Sequence, residues 1–226
     1  MKNRINLIGT LGIISFISYF LAVIISPVKY PGYNWLERAV SDLSADDAPS
    51  KKLWNILATP YTLCGVSFLT ILSLLLPKDT NKILRFGIIT FTIMNWFSAI
   101  GYGFFPLSES DGGGKIQDVM HIVVTVVVVL LSIVSMILII IGSLKKKNNL
   151  SLGIIAIICL ILMSTSSIST FVPHSIFGLV ERFSTLSITA FTAVLGIYTI
   201  MGKFRISENS YLSKKNSAIK WGKCNT

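Results

Sequence analysis

Two histidines, His121 and His174, and the charged residues Glu37, Asp42, Asp118, Glu181 and Arg182 carry the chemical options of this 226-residue chain. Asp118 and His121 stand three apart, a spacing that puts both on one face of a helix. Two imidazoles and a carboxylate can hold a divalent metal such as zinc, and a metal with an open position activates water for hydrolysis. In that scheme Asp118, His121 and His174 are the ligands and Glu181 is the general base, acting on a lipid-like substrate. The same groups also suit a site without catalysis, in which Glu37, Asp42, Asp118, His121, His174, Glu181 and Arg182 hold a lipid headgroup, a small molecule or an ion. In a third reading they pair with one another and with backbone ends, and the protein is a structural subunit of a membrane complex. No HExxH or similarly close spacing selects the catalytic reading, so the residues leave open whether the chain is an enzyme.

The elements that must position these residues are long and apolar. Hydrophobic residues make up 52% of the chain, charged residues only 13%, and the mean hydropathy is +0.71. An ordinary soluble globule does not have this composition. A run of about 20 apolar residues spans a hydrocarbon core of about 30 Å. Six such runs predict helices at about 5–26, 53–76, 86–105, 119–143, 150–172 and 183–202. The expected fold is all-α: a polytopic bundle of six transmembrane helices over residues 1–202, followed by a basic, disordered tail at 203–226. Pro27, Pro77, Pro106 and Pro173 each follow an apolar run, where a residue without an N–H ends a helix. The first run is longer than the apolar part of a signal peptide and has no small-x-small site before Pro27, so it reads as a retained helix.

Charge orients the bundle. Fourteen of the twenty Lys and Arg residues fall at the N-terminus, in the 77–85 and 144–149 loops and in the tail, while eight of the ten acidic residues fall in the other loops. Basic residues stay on the cytoplasmic side, so both termini are predicted inside and both histidines face outward. The formal net charge of +10 then needs no nucleic acid to explain it. Topology and anionic headgroups account for it. The implied partner is the lipid bilayer of a cell membrane, and the pattern sets no oligomeric state.

The first outer loop, 27–52, has apolar residues at 35, 36, 39, 40 and 43, a helical spacing that predicts a short amphipathic surface helix. Trp35, Trp54, Tyr30, Tyr33 and Tyr102 gather near the same surface, as amphipathic rings do. The second outer loop holds Asp111 and the run Gly112–Gly114. Helices 5 and 6 are rich in hydroxyls, from Ser164 to Thr170 and from Ser184 to Thr192. These serve either as cross-helix ties or as the wall of a polar cavity opening toward His174 and Glu181. Asn95, central in helix 3, fits a polar interior. No charged residue lies deep in a helix, which argues against a proton-coupled pump or a voltage sensor. Cys64 and Cys159 sit in apolar helices and Cys224 in the tail, so no disulfide framework or zinc knuckle is indicated.

Several short motifs carry a resemblance. Tyr30-Pro31-Gly32-Tyr33-Asn34 followed by Val40-Ser41-Asp42-Leu43, then Phe105-Pro106 with His121, and Gly178 with Glu181-Arg182, are similar to a prokaryotic six-helix membrane family catalogued as domain of unknown function number 998. The resemblance covers about residues 5–202. It implies a six-helix bundle with its distinctive polar residues on one face, and it supplies no substrate or reaction. The glycines at 112–114 look like this chain's own elaboration.

Overall fold

The computed structural model describes residues 2–110, 114–145, 149–165, 173–204 and 206, without the side chains of residues 2–4 and 174. The described residues contain six α-helices and no strand: α1 Lys2–Ile25, α2 Lys51–Leu75, α3 Lys82–Phe104, α4 Ile116–Leu144, α5 Leu150–Ser164 and α6 Phe177–Ile200. Five of them, all but α5, are long and apolar enough to cross a membrane. The chain is read as a multi-pass membrane protein on that basis. Helix α5 has 15 described residues, and its expected continuation through 166–172 lies outside the described residues, as do Asp111, most of the glycine run and nearly all of the tail.

Each helix packs on its neighbours in sequence, and α6 closes the ring by packing on α1. Small residues make that closure possible. A Cβ on Gly9 would stand 2.6 Å from the Gly196 carbonyl, and one on Gly196 would stand 2.5 Å from the Gly9 carbonyl. Without a hydrophobic force between helices in lipid, such backbone-to-backbone approach is a main source of attraction. Outside the ring, Ile122, Val126, Leu130, Ile137 and Ile141 form an exposed apolar stripe along α4, the surface that lipid would cover.

The two ends of the bundle differ inside. Loops 76–81 and 145–149 mark the basic end; loops 26–50, 105–115 and 173–176 mark the acidic end. The apolar core fills the basic half, where Leu72, Leu76, Leu84, Ile88, Ile139, Leu152 and Leu195 are fully or almost fully buried. Its upper layer includes Phe91 and Phe191, whose rings meet edge to face with centroids 5.6 Å apart. At this end Asn81 starts α3 by accepting the Ile83 and Leu84 N–H groups on its side-chain oxygen, a normal N-cap.

Helix α2 contains Pro60, which lacks an N–H and disturbs the hydrogen-bond ladder around it. Helix α1 repairs the break. The buried Ser18 hydroxyl accepts the Tyr61 N–H at 2.9 Å and donates to the Leu57 carbonyl, so it stands between two groups that would otherwise pair. Ser15 donates to the Tyr61 carbonyl at 2.9 Å. Freed backbone groups inside a membrane helix need such internal partners. This one fixes the rotation of Tyr61.

The first acidic-end loop contains no amphipathic α-helix. Residues 35–38 form a turn, and the only helical piece beyond it in the loop is the 3-10 turn Ser41–Ser44. The apolar spacing arises because Val40 and Leu43 point into the protein, while the carbonyls of Trp35 and Arg38 are taken by a side chain of α6. A helix there would have used those carbonyls itself.

Candidate functional site

Helix α6 starts at Phe177, six residues before the expected 183, which places Glu181 and Arg182 inside its second turn. Arg182 is buried. Its Nη1 donates to the carbonyls of Trp35 at 2.6 Å, Gly178 at 2.7 Å and Arg38 at 3.0 Å, and its Nη2 donates to the Tyr33 hydroxyl at 2.6 Å. The Tyr33 hydroxyl passes its own proton to the Ala39 carbonyl at 2.7 Å. Arg38 repeats the arrangement one step outward, donating to the Tyr30 hydroxyl at 2.8 Å and lying 5.3 Å over that ring. Burial pushes the Tyr33 phenol up to about 12, against the opposing pull of the Arg182 guanidinium.

The motif residues have local reasons. Gly32 takes φ of +73°, a conformation that L side chains rarely adopt. Asn34 accepts the Leu36 N–H on its side chain, an Asx turn. Gly178 leaves room for the loop to touch α6: a Cβ there would collide with the carbonyls of Arg38 and Trp35. Glu181 completes the clamp, with Oε2 accepting the Val40 N–H at 2.6 Å. Its other oxygen has no hydrogen-bond partner among the described residues. Asp42, buried beside it, raises the local negative potential felt by Glu181 and Tyr33.

Asp46 and Asp47 of the first loop join it to the second loop and the start of α4, and Asp118 braces the second loop from within. Asp118 lies in the first turn of α4 and accepts the Ser108 N–H and Oγ–H, both at 2.7 Å, and the Lys115 N–H at 3.0 Å. Asp47 accepts from both donors of Ser110. Asp46 bridges Lys51 at 2.6 Å and Gln117 at 2.9 Å, and those two hydrogen bonds hold its carboxyl below the usual range. Glu109, 3.0 Å away, raises the affinity of Lys115 for its proton. His121 is buried and its Nδ1 lies 2.8 Å from the Phe105 carbonyl, which can only accept, so Nδ1 carries the proton.

Between these ties lies a group of aromatic side chains. Tyr19 packs against Tyr61 with centroids 4.8 Å apart and against Trp54 at 5.8 Å, edge to face. Tyr19 lies within electrostatic range of Tyr61, Tyr102 and Glu181, and Tyr102 within range of Glu181. Tyr102 donates to Thr125 at 3.1 Å, and its ring stacks on His121 at 4.9 Å. All of these residues lie within about 15 Å of the acidic end at a rise of about 1.5 Å per residue. Tyr19, Tyr61, Tyr102 and Glu181 are each half-buried, above the apolar core.

Of the residues singled out in the sequence, Asp42, Glu181 and Arg182 lie near one another, and His121 packs against Tyr102. Asp118 faces the loop tie, with both oxygens engaged. Glu37 is half-buried, and its N–H closes the turn onto the Asn34 carbonyl. His174 opens the 3-10 turn before α6, and its side chain lies outside the description. Among the described residues no three His, Cys, Asp or Glu side chains gather as a metal-binding group would. The hydroxyls of α5 and α6 mostly bond backward within their helices, while Ser184 ties α6 to the Met163 carbonyl at 2.9 Å. Ser166, Ser167, Ser169 and Thr170 lie outside the described residues. Asn95 donates to the Phe91 carbonyl of its own helix. Sequence reasoning missed Tyr19 and Tyr61; their only signal was a tyrosine well inside an apolar run.

A model of one protein family matches residues 13–198. Neither the curated proteins nor the solved structures contain a match. The matched segment takes in α1 from its middle, the Arg182 clamp and both loop ties. The chain belongs to the family of proteins of unknown function DUF998.

Proposed function

We propose that this integral membrane protein binds a small polar molecule or a lipid headgroup at its acidic end. One observation carries the reading: the basic half of the bundle is packed with apolar side chains, whereas the acidic half gathers Tyr19, Tyr61 and Trp54 in ring contact, Tyr102 against His121, and Glu181 with one carboxylate oxygen that has no hydrogen-bond partner among the described residues. A carboxylate oxygen without a protein partner is open to a hydrogen bond from a ligand or from water. Concave sites with a few convergent polar groups on apolar walls are the usual form of a small-molecule site.

The charge pattern supports a placement in the cell membrane with six spans, both termini in the cytoplasm and the acidic end at the outer leaflet. A membrane-impermeant thiol reagent on intact cells tests this. It labels Glu109→Cys and leaves Asp79→Cys unlabelled; the reverse pattern inverts the orientation.

Binding is tested by purifying the chain in mild detergent and identifying retained molecules by mass spectrometry. A near-stoichiometric small molecule or lipid is expected with the wild type, and its loss with the double variant Tyr19→Leu/Tyr61→Leu at a retained melting transition. Equal retention by both proteins, or no retained molecule at all, overturns the reading.

A further inference from the structure

We propose that the basic end of the bundle holds an anionic phospholipid, with its phosphate on Arg85 and Lys82 and an acyl chain along the exposed side of α3. The inference is independent of the ligand proposed at the acidic end. Lys82 and Arg85 stand three apart at the start of α3, a spacing that makes them neighbours on the helix surface. Lys82 is exposed and Arg85 half-buried. Among the described residues neither side chain has a hydrogen bond or an ion pair. Lys78, in the turn before α3, is exposed as well. The only acid between α2 and α3 is Asp79, which has an interaction of its own. The turn thus sets Lys78, Lys82 and Arg85 against a single carboxylate.

The apolar surface beyond this pair matches one leaflet. Phe86, Ile93, Phe97 and Ile100 are exposed and follow Lys82 at helical spacing, on the side of α3 opposite its buried Leu84, Ile88 and Phe91. From Phe86 to Phe97 the helix rises about 16 Å, close to half of a hydrocarbon core of about 30 Å. Trp96, also exposed, ties this side to α2, its indole N–H donating to the Thr70 hydroxyl at 3.0 Å. A molecule with a negative head and an apolar chain fits such a surface. Phosphate accepts two parallel bonds from a guanidinium and pairs with an ammonium beside it. A zwitterionic lipid would bring a further cation to a place that already holds an excess of them.

The experiment uses the full chain in mild detergent, titrated with phosphatidylglycerol or phosphatidylcholine, with bound lipid counted by native mass spectrometry. The first phosphatidylglycerol is expected to bind roughly tenfold more tightly than phosphatidylcholine, or better, since each cation near the headgroup contributes roughly fivefold. Arg85→Gln and Lys82→Gln are each expected to lower that preference by roughly fivefold. Arg85→Lys is expected to recover only part of the loss, because an ammonium lacks the planar fork. Lys145→Gln removes an exposed cation from the same end of the bundle and is expected to leave the preference unchanged. The acyl chain is read separately: phosphatidylglycerol with brominated chains is expected to quench the fluorescence that Trp96→Phe removes, and to quench it less in Arg85→Gln. Melting transitions are compared throughout, and Lys82→Gln carries the comparison if Arg85→Gln does not fold. Equal binding of the two lipids overturns the proposal. So does an equal loss in Lys82→Gln and Lys145→Gln, which would reduce the attraction to diffuse charge.

Discussion

Arg182 touches Tyr33 twice: its Nη2 donates to the phenolic oxygen at 2.6 Å while the guanidinium carbon lies 5.7 Å over the same ring. A residue of the last helix thereby holds the loop that follows the first. Removing one member of a buried, fully hydrogen-bonded charge network costs about 3–5 kcal/mol. Arg182→Met is therefore expected to lower the melting transition in detergent sharply. Arg182→Lys is expected to recover only part of the loss, because an ammonium cannot form the planar fork that reaches three carbonyls and a phenol. Full recovery by lysine would show that charge alone matters.

Gly178 gives a test of the same contact from the backbone side. Its missing Cβ makes room for the Trp35 and Arg38 carbonyls. Gly178→Ala is expected to destabilise by about 1–3 kcal/mol, the range for overpacking a tight contact. Hydrogen exchange at residues 33–44 should accelerate, while exchange in the apolar core of α2 and α3 should not. Uniform acceleration across the bundle would contradict a local role.

Ser18 makes a different prediction. Its hydroxyl replaces the direct bond between Tyr61 and Leu57 next to Pro60. Ser18→Ala leaves two buried backbone groups unpaired, at a cost of about 1–3 kcal/mol. In the double variant Ser18→Ala/Pro60→Ala, α2 can rebuild an ordinary ladder. The second substitution is expected to restore stability, as measured by thermal unfolding of the four proteins in one detergent. Additive losses would refute the repair.

Asp46 supplies the pH dependence. Its hydrogen bonds with Lys51 and Gln117 lower its folded-state value below 3.8. A depressed carboxyl contributes stability above its unfolded value, and the contribution is lost as pH falls through the folded value. The difference in melting temperature between wild type and Asp46→Asn should therefore be present at pH 6 and shrink below about pH 3.8. A difference independent of pH would assign the effect to shape rather than charge.

Much of the fold was legible because a membrane helix announces itself by length. The starts of α2 and α4 fell within three residues of expectation, and Asp118 and His121 do share a helix with Asp118 in its first turn. Helix rotation was less legible. In a bilayer both the lipid-facing and the core-facing sides of a helix are apolar, so periodicity separates them poorly. Tyr19 and Tyr61 looked like ordinary members of apolar runs for that reason. The loop at 35–43 misled in the opposite way. Val40 and Leu43 repeat with helical spacing, but they are anchors that pin an irregular segment into the protein. Glu181 and Arg182 stand side by side in the sequence, yet their contacts divide: the arginine holds the loop through Trp35, Arg38 and Tyr33, and the glutamate accepts the Val40 N–H on one oxygen.

The glycine contact that closes the ring has a consequence for biogenesis. Gly9 belongs to α1 and Gly196 to α6, 187 positions later, so α1 leaves the ribosome well before its partner. At about 5–20 residues per second, α1 waits on the order of 10–40 s in the bilayer before its partner exists. During that interval the Ser15 and Ser18 bonds to α2 give it a neighbour, while its glycine-bearing face stays open to lipid. The newborn protein is thus an unsealed arc of helices that becomes a ring only once α6 has been made. The seam between α1 and α6 is where a quality-control factor would find an unfinished molecule.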